Sequence, residues 1–161
     1  MNTHNEHEWL RKLVGHWTFE TVCQMGPDKP PMKTTGTEVV RALGEFWIIG
    51  EIVGGMPDGS SHTSIITLGF DLVQGRFVGT FVSTIMPDLW IYDGSLDADG
   101  KRLTLDAQSP SFAGDGSISK YQDVIDIIDD NHHTLSSNAQ KPDGTWVQFM
   151  TARYSRASEG K

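Results

Sequence analysis

The feature that most constrains this chain is its punctuation. From Lys33 to Tyr154, extended segments of about ten residues alternate with short turn-forming stretches, the signature of an antiparallel sheet. The turns read Leu43-Gly44-Glu45, Pro57-Asp58-Gly59, Val73-Gln74-Gly75, Met86-Pro87-Asp88, Ala98-Asp99-Gly100, Asp129-Asp130-Asn131 and Pro142-Asp143-Gly144. Asp, Asn and Gly tolerate the backbone conformations that tight hairpins require. The predicted strands are Trp17 to Met25, Lys33 to Ala42, Phe46 to Gly55, Ser61 to Phe70, Arg76 to Ile85, Leu89 to Leu96, Arg102 to Gln108, Ile118 to Ile128, His133 to Ala139 and Thr145 to Tyr154. No crossover helix fits between them. A meander of about ten strands leaves exposed sheet edges unless it closes, so the expected fold is all-β, an up-and-down antiparallel β-barrel.

The 161 residues form one expected domain, with a helix over about 5–14 and a barrel over about 17–156. Asn5 and Glu8 stand at capping-box spacing, and Trp9, Leu10, Leu13 and Val14 make one apolar stripe that Gly15 ends. The period then changes to two, with Trp17, Phe19, Thr21, Cys23 and Met25 on one strand face. Three prolines in Gly26-Pro27-Asp28-Lys29-Pro30-Pro31 remove ladder donors and force a loop. The stretch Ser109 to Ser119 is long enough to be a flexible loop.

A net charge of −8 without a basic stripe argues against nucleic acid and against anionic membrane surfaces as partners. The lone Cys23 excludes an internal disulfide framework, and no apolar run reaches the ~18 residues of a membrane span. A soluble cytoplasmic protein is the expectation. No Gly-x-Gly-x-x-Gly joins a strand to a helix, so no nucleotide cofactor is indicated.

Gly15-His16-Trp17 is the Gly-x-Trp that opens the first strand of lipocalins and their relatives. Downstream follow Leu43-Gly44-Glu45-Phe46-Trp47, Glu51, Leu68-Gly69-Phe70-Asp71, Gly75-Arg76-Phe77-Val78, Gly94-Ser95-Leu96-Asp97 and Tyr154-Ser155-Arg156. In this order they resemble the bacterial family catalogued as domain of unknown function 1579, a lipocalin-like barrel, over nearly the whole chain. The resemblance implies the fold and carries no activity. Fatty-acid-binding barrels insert a helix pair after the first strand, for which the Pro-rich loop is too short. Haem-binding barrels of the nitrobindin kind continue Gly-x-Trp with further glycines, whereas this chain continues Thr18-Phe19-Glu20. No cofactor is therefore expected.

Asp129-Asp130-Asn131-His132-His133 gathers metal-ligating types, but adjacent strand residues point to opposite faces, so a turn is expected and no metal site. Asp97-Ala98-Asp99-Gly100 opens like a calcium loop and lacks its later ligands. His62 shares a face with Ser64, yet no nucleophile elbow is present and no catalytic residue is assigned. Glu51 alternates with Trp47, Ile49 and Val53. Either that face lines the lumen, placing a carboxylate among apolar walls, or Phe46, Ile48 and Ile52 face inward and Glu51 meets water. The matching Glu of the resembling family favours the lumen.

The Gly-x-Trp resemblance turns Trp17, Phe19 and Cys23 inward. Pleat alternation on other strands adds Glu51, His62, Phe81, Ser83, Trp90, Tyr92 and Met150 as ligand-binding candidates. This set is mainly apolar with a few polar groups, and it fits a small amphipathic molecule with a polar head, bound in the cavity. The other readings are an enzyme acting on a small molecule in the same cavity, with Glu51 or His62 transferring a proton, and a structural protein with a filled core. Apolar residues on both faces of Phe46 to Val53 and Val124 to Ile128 ask for an outer cover, supplied in this reading by the N-terminal helix and by a second copy in a homodimer.

Overall fold

Period-two alternation resolves into ten strands: β1 Gly15–Cys23, β2 Met32–Leu43, β3 Trp47–Gly55, β4 Ser61–Asp71, β5 Arg76–Ser83, β6 Met86–Leu96, β7 Arg102–Pro110, β8 Ile118–Asp129, β9 His132–Gln140 and β10 Trp146–Arg156. They belong to a computed structural model that describes residues 5–24, 26–111 and 114–157. Met25, at the end of the first predicted strand, lies outside the described residues, as do Phe112 and Ala113 in the predicted loop. Every strand pairs antiparallel with its sequence neighbour, and β1 pairs with both β2 and β10, which closes the barrel. The expected ten-stranded closed meander is present.

The largest boundary difference is at β6, which begins at Met86 rather than Leu89. Met86 pairs with Ser83 across a bulge after Phe81, so the ladder reaches further into the connection than the Pro87-Asp88 signal implies. At the hairpins, positive φ among the described residues is confined to glycine, as at Gly59, Gly75, Gly100 and Gly144. Asp97 Oδ1 accepts from the backbone N–H groups of Lys101 and Arg102, so the calcium-like stretch is a hydrogen-bonded turn.

Register decides which side chains face inward. Trp17 lies opposite Glu38 and Arg156, Glu38 opposite Ile52, and His133 opposite Tyr154. Buried residues alternate accordingly along β1, β6 and β7, and they build one core that includes Trp17, Phe19, Leu68, Leu103, Leu105 and Tyr121. The outward rows of β2 to β6 retain exposed Val39, Trp47, Val53, Ile65, Val82 and Ile91.

The N-terminal segment plugs one end. Helix α1 (Asn5–Leu10) runs into a 3-10 turn, Arg11–Leu13. Asn5 is already helical rather than the cap that its spacing predicts, and the helix ends earlier than Val14 because the turn tightens. Trp9 donates from Nε1 to Gly100 O at 2.6 Å and meets Phe77 edge-on, while His7 Nε2 is 3.0 Å from Phe70 O. The helix thus seals the barrel end instead of coating the outer wall. No helix among the described residues is long and apolar enough to cross a membrane.

Trp9 is 4% exposed and joins the plug to two hairpins. Trp9→Ala should lower the unfolding free energy by about 3–5 kcal/mol, as loss of a buried aromatic does. Val73→Ala, at a residue 93% exposed, should change it by no more than about 0.5 kcal/mol. Denaturant unfolding of the two variants checks both.

Candidate functional site

Above the plug, the inward side chains leave a cavity of about 70 Å³. Its floor is Leu13, and its walls are mostly aliphatic, with Val40, Ile48, Ile52, Ile66, Leu68, Leu105, Ile125 and Leu135. Into this apolar box project Phe81 and five titratable groups: Glu38, Tyr92, Asp123, His133 and Tyr154. A water-sized group needs roughly 10–15 Å³ measured this way, so the space admits about five such groups or a compact organic molecule.

The polar groups fall into two sets. Asp123, on β8, is satisfied: Tyr92 donates to its Oδ2 at 2.5 Å and Ser137 to its Oδ1 at 2.6 Å. Glu38, on β2, is 8% exposed and makes no hydrogen bond or ion pair among the described residues. The Tyr154 hydroxyl likewise has no hydrogen-bond partner there, and His133 Nδ1 is buried and unpaired. Gly50 makes room for Glu38, since a Cβ at that position would collide with Glu38 Oε2. His133 stacks on Tyr154 with ring centroids 4.5 Å apart and takes the edge of Trp17 at 4.3 Å. The Arg156 guanidinium covers Trp17, 4.2 Å from the ring centroid. Gly15 takes a φ of +136°, a conformation L side chains rarely adopt, and a Cβ there would also strike that guanidinium, which gives the Gly-x-Trp motif its physical reason.

Burial dominates the electrostatics. It raises the Glu38 carboxyl to about 7, with no opposing hydrogen bond to hold it down. It raises Asp123 less freely, because the bonds from Ser137 and Tyr92 stabilise the carboxylate. Tyr92 and Tyr154 are held well above the ordinary phenol value, first by burial and then by neighbouring carboxylates. His133 falls to about 4 through burial, assisted by Arg156, so its ring is neutral at physiological pH.

Of the ten residues expected to line a ligand site, Phe81 and Tyr92 border this cavity. Trp17 and Phe19 are buried in the aromatic column beside it, where Phe19 packs on Tyr154 at 5.1 Å. Cys23, His62, Ser83, Trp90 and Met150 lie toward the end opposite the plug and do not border the cavity. There Cys23 is opposite Met150, and Ser83 accepts from Ser64 at 2.8 Å. The His62 Nδ1 and Trp90 Nε1 atoms are buried without partners among the described residues.

Glu51 requires a correction. It is exposed, and the inward positions of β3 belong to Ile48, Gly50, Ile52 and Gly54. The strand is apolar on both faces, so alternation alone left two registers open; pairing of Ile52 with Glu38 and Ser64 selects the one that turns Glu51 out. Sequence reasoning missed Glu38, Asp123, His133 and Tyr154. Asp123 shares parity with Tyr121, Ile125 and Ile127, a signal strong enough to have found it. His132 and His133 do point apart, with His132 Nδ1 2.8 Å from Asp129 Oδ1 outside and His133 in the cavity.

The family described as protein of unknown function DUF1579 has a model that matches residues 2–156. The chain belongs to this family. Comparison of the DUF1579 chain with curated proteins finds no match. Among solved structures, the DUF1579 barrel is similar to Rv2717c from M. tuberculosis, at 15% identity and TM-score 0.70, covering 98% of this chain and 100% of that one. It is also similar to a redesigned β-barrel, mFAP0, bound to DFHBI, at 12% identity and TM-score 0.51 over 90% of this chain and 99% of that one. A second redesigned barrel, b11L5F_LGL, matches at 11% identity and TM-score 0.51 over 98% and 100% of the two chains. At these identities the likeness is one of fold.

Two buried groups of the DUF1579 cavity oppose each other in pH. The folded chain holds the Glu38 proton up to about 7, above the ordinary carboxyl value of 4.5, so stability from this group is lost as pH rises through that interval. His133 stays neutral down to about 4 against the ordinary imidazole value of 6.5, so its contribution grows as pH rises. Glu38→Gln removes the first effect. Denaturant unfolding should show the variant gaining on the wild type between about pH 5 and pH 8, by up to about 3 kcal/mol. A difference independent of pH would place the carboxyl in water.

Proposed function

We propose that this protein binds a small amphipathic molecule in the barrel cavity, with the polar head of the ligand at Glu38 and Tyr154 and its apolar body against the aliphatic wall. One observation carries the reading: a buried carboxyl without a hydrogen-bond partner among the described residues faces an internal cavity. Leaving such a group unpaired costs about 1–3 kcal/mol or more, and a ligand that donates to it recovers that loss. The structure of mFAP0 bound to DFHBI supports the reading to the extent that a barrel of similar fold accommodates a small molecule.

A second reading is an enzyme using the same cavity. Since Glu51 faces solvent, the proton-transfer role falls to Glu38, whose value of about 7 suits a general base near neutral pH.

Native mass spectrometry of freshly purified protein tests the binding reading. A stoichiometric organic adduct should appear on the wild type and be lost from Ile52→Phe, which fills the cavity. Loss of the adduct with unchanged far-UV circular dichroism confirms the location. An adduct that persists in Ile52→Phe, or a wild-type barrel that takes up nothing from a library of compact polar-headed molecules, overturns it. Conversion of a library member by the wild type but not by Glu38→Gln would favour the enzyme.

A further inference from the structure

We infer that the polar head recognised in this cavity is a cation, a protonated amine or similar small organic cation, seated against the Glu38 carboxylate; this inference rests on the binding reading above. The lining contains two carboxyls, Glu38 and Asp123, and neither Lys nor Arg. The Arg156 guanidinium over Trp17 is committed elsewhere: Nη1 donates to Val14 O at 2.8 Å, Nε to Asp130 O at 3.0 Å, and Nη2 to Asp130 O at 2.9 Å and Lys12 O at 3.2 Å. His133 offers no charge, because its ring stays neutral down to about 4.

The two carboxyls are not equivalent. Tyr92 and Ser137 donate to the two oxygens of Asp123, whereas Glu38 presents both oxygens without a partner among the described residues. An ammonium donates up to three hydrogen bonds and accepts none, which matches an ionised Glu38. A carboxylate ligand would bring a further acidic group to a low-dielectric box that already holds two carboxyls. A neutral alcohol would satisfy Glu38 with one donor and leave the charge uncompensated. Phe81 and Tyr154 add aromatic side chains to the lining. The formal net charge of −8 favours approach of a cation from solution.

Titration of Glu38 links binding to pH. The charged or titratable groups that share its cavity are Tyr92 from β6, Asp123 from β8, His133 from β9 and Tyr154 from β10, while β3, β4, β5 and β7 contribute apolar side chains alone. Below about 7 the unliganded carboxyl is protonated, so a cation must displace that proton and binds more weakly in acid.

Three probes of nearly equal size, n-butylammonium, n-butanol and butyrate, separate the possibilities in nitrogen-15 NMR titrations at matched ionic strength. At about pH 8, butylammonium should bind roughly tenfold more tightly than butanol, the margin of a charge-assisted over a neutral hydrogen bond, and butyrate should leave lumen signals unmoved. At about pH 5 the ammonium preference should collapse toward parity in the same wild-type protein, which needs no variant to fold. Glu38→Gln should abolish the preference and still bind butanol. If butanol or butyrate equals or exceeds butylammonium at about pH 8, the cation assignment is overturned and the binding reading stands. If none of the three probes moves lumen signals, the binding reading fails with it.

Discussion

Closure through β1 is the constraint on which the rest of the molecule depends. Because β1 pairs with β2 on one side and β10 on the other, no strand is free to slip by one residue without turning its inward set outward. The register of Trp17 against Glu38 and Arg156 places three chemically different residues at one level of the barrel. Trp17 fills the interior, Arg156 lies over its ring and binds rim carbonyls, and Glu38 is carried into the cavity beside them. The N-terminal plug completes this end, since Trp17 Nε1 donates to Leu13 O at 2.9 Å and Leu13 forms the cavity floor.

A barrel optimised for stability alone would not hold these polar groups. An aliphatic residue in place of Glu38 would avoid its desolvation, and a hydrogen-bond donor opposite it would offset that penalty. Neither is present among the described residues, whereas Asp123 shows that the same lumen readily satisfies a carboxyl when it supplies Tyr92 and Ser137. Within one cavity, Asp123 thus holds a donor on each oxygen and Glu38 holds none among the described residues. Gly50 sharpens the contrast, because the missing side chain there is what allows Glu38 to lie where it does.

The fold was legible because turns are local. Asp-Gly and Gly-containing triplets punctuate the chain where hairpins form, and strand boundaries follow within a few residues. The site was less legible because inside and outside are decided by pairing across the barrel, which a single strand does not encode. On β3, Ile48 and Ile52 face in while Trp47, Ile49 and Val53 face out, so Glu51 had no polar row to betray its side. On β2, Glu38 has apolar Val39 and Val40 after it and threonines before it, and neither parity stands out. Tyr92 was recoverable because it alternates with Trp90 between polar or exposed neighbours. His133 was visible as a strand residue, but only its pairing with Tyr154 shows that its ring enters the aromatic column.

The central claim is that Glu38 is a desolvated, unpartnered carboxyl inside the barrel. Carbon-13 NMR of its side-chain carboxyl, assigned by comparison with Glu38→Gln and followed through a pH titration, reads this directly. The account predicts a midpoint of about 7 in the ligand-free protein, displaced from the ordinary 4.5 by burial alone. A midpoint at the ordinary value would show a hydrated carboxyl and contradict the account.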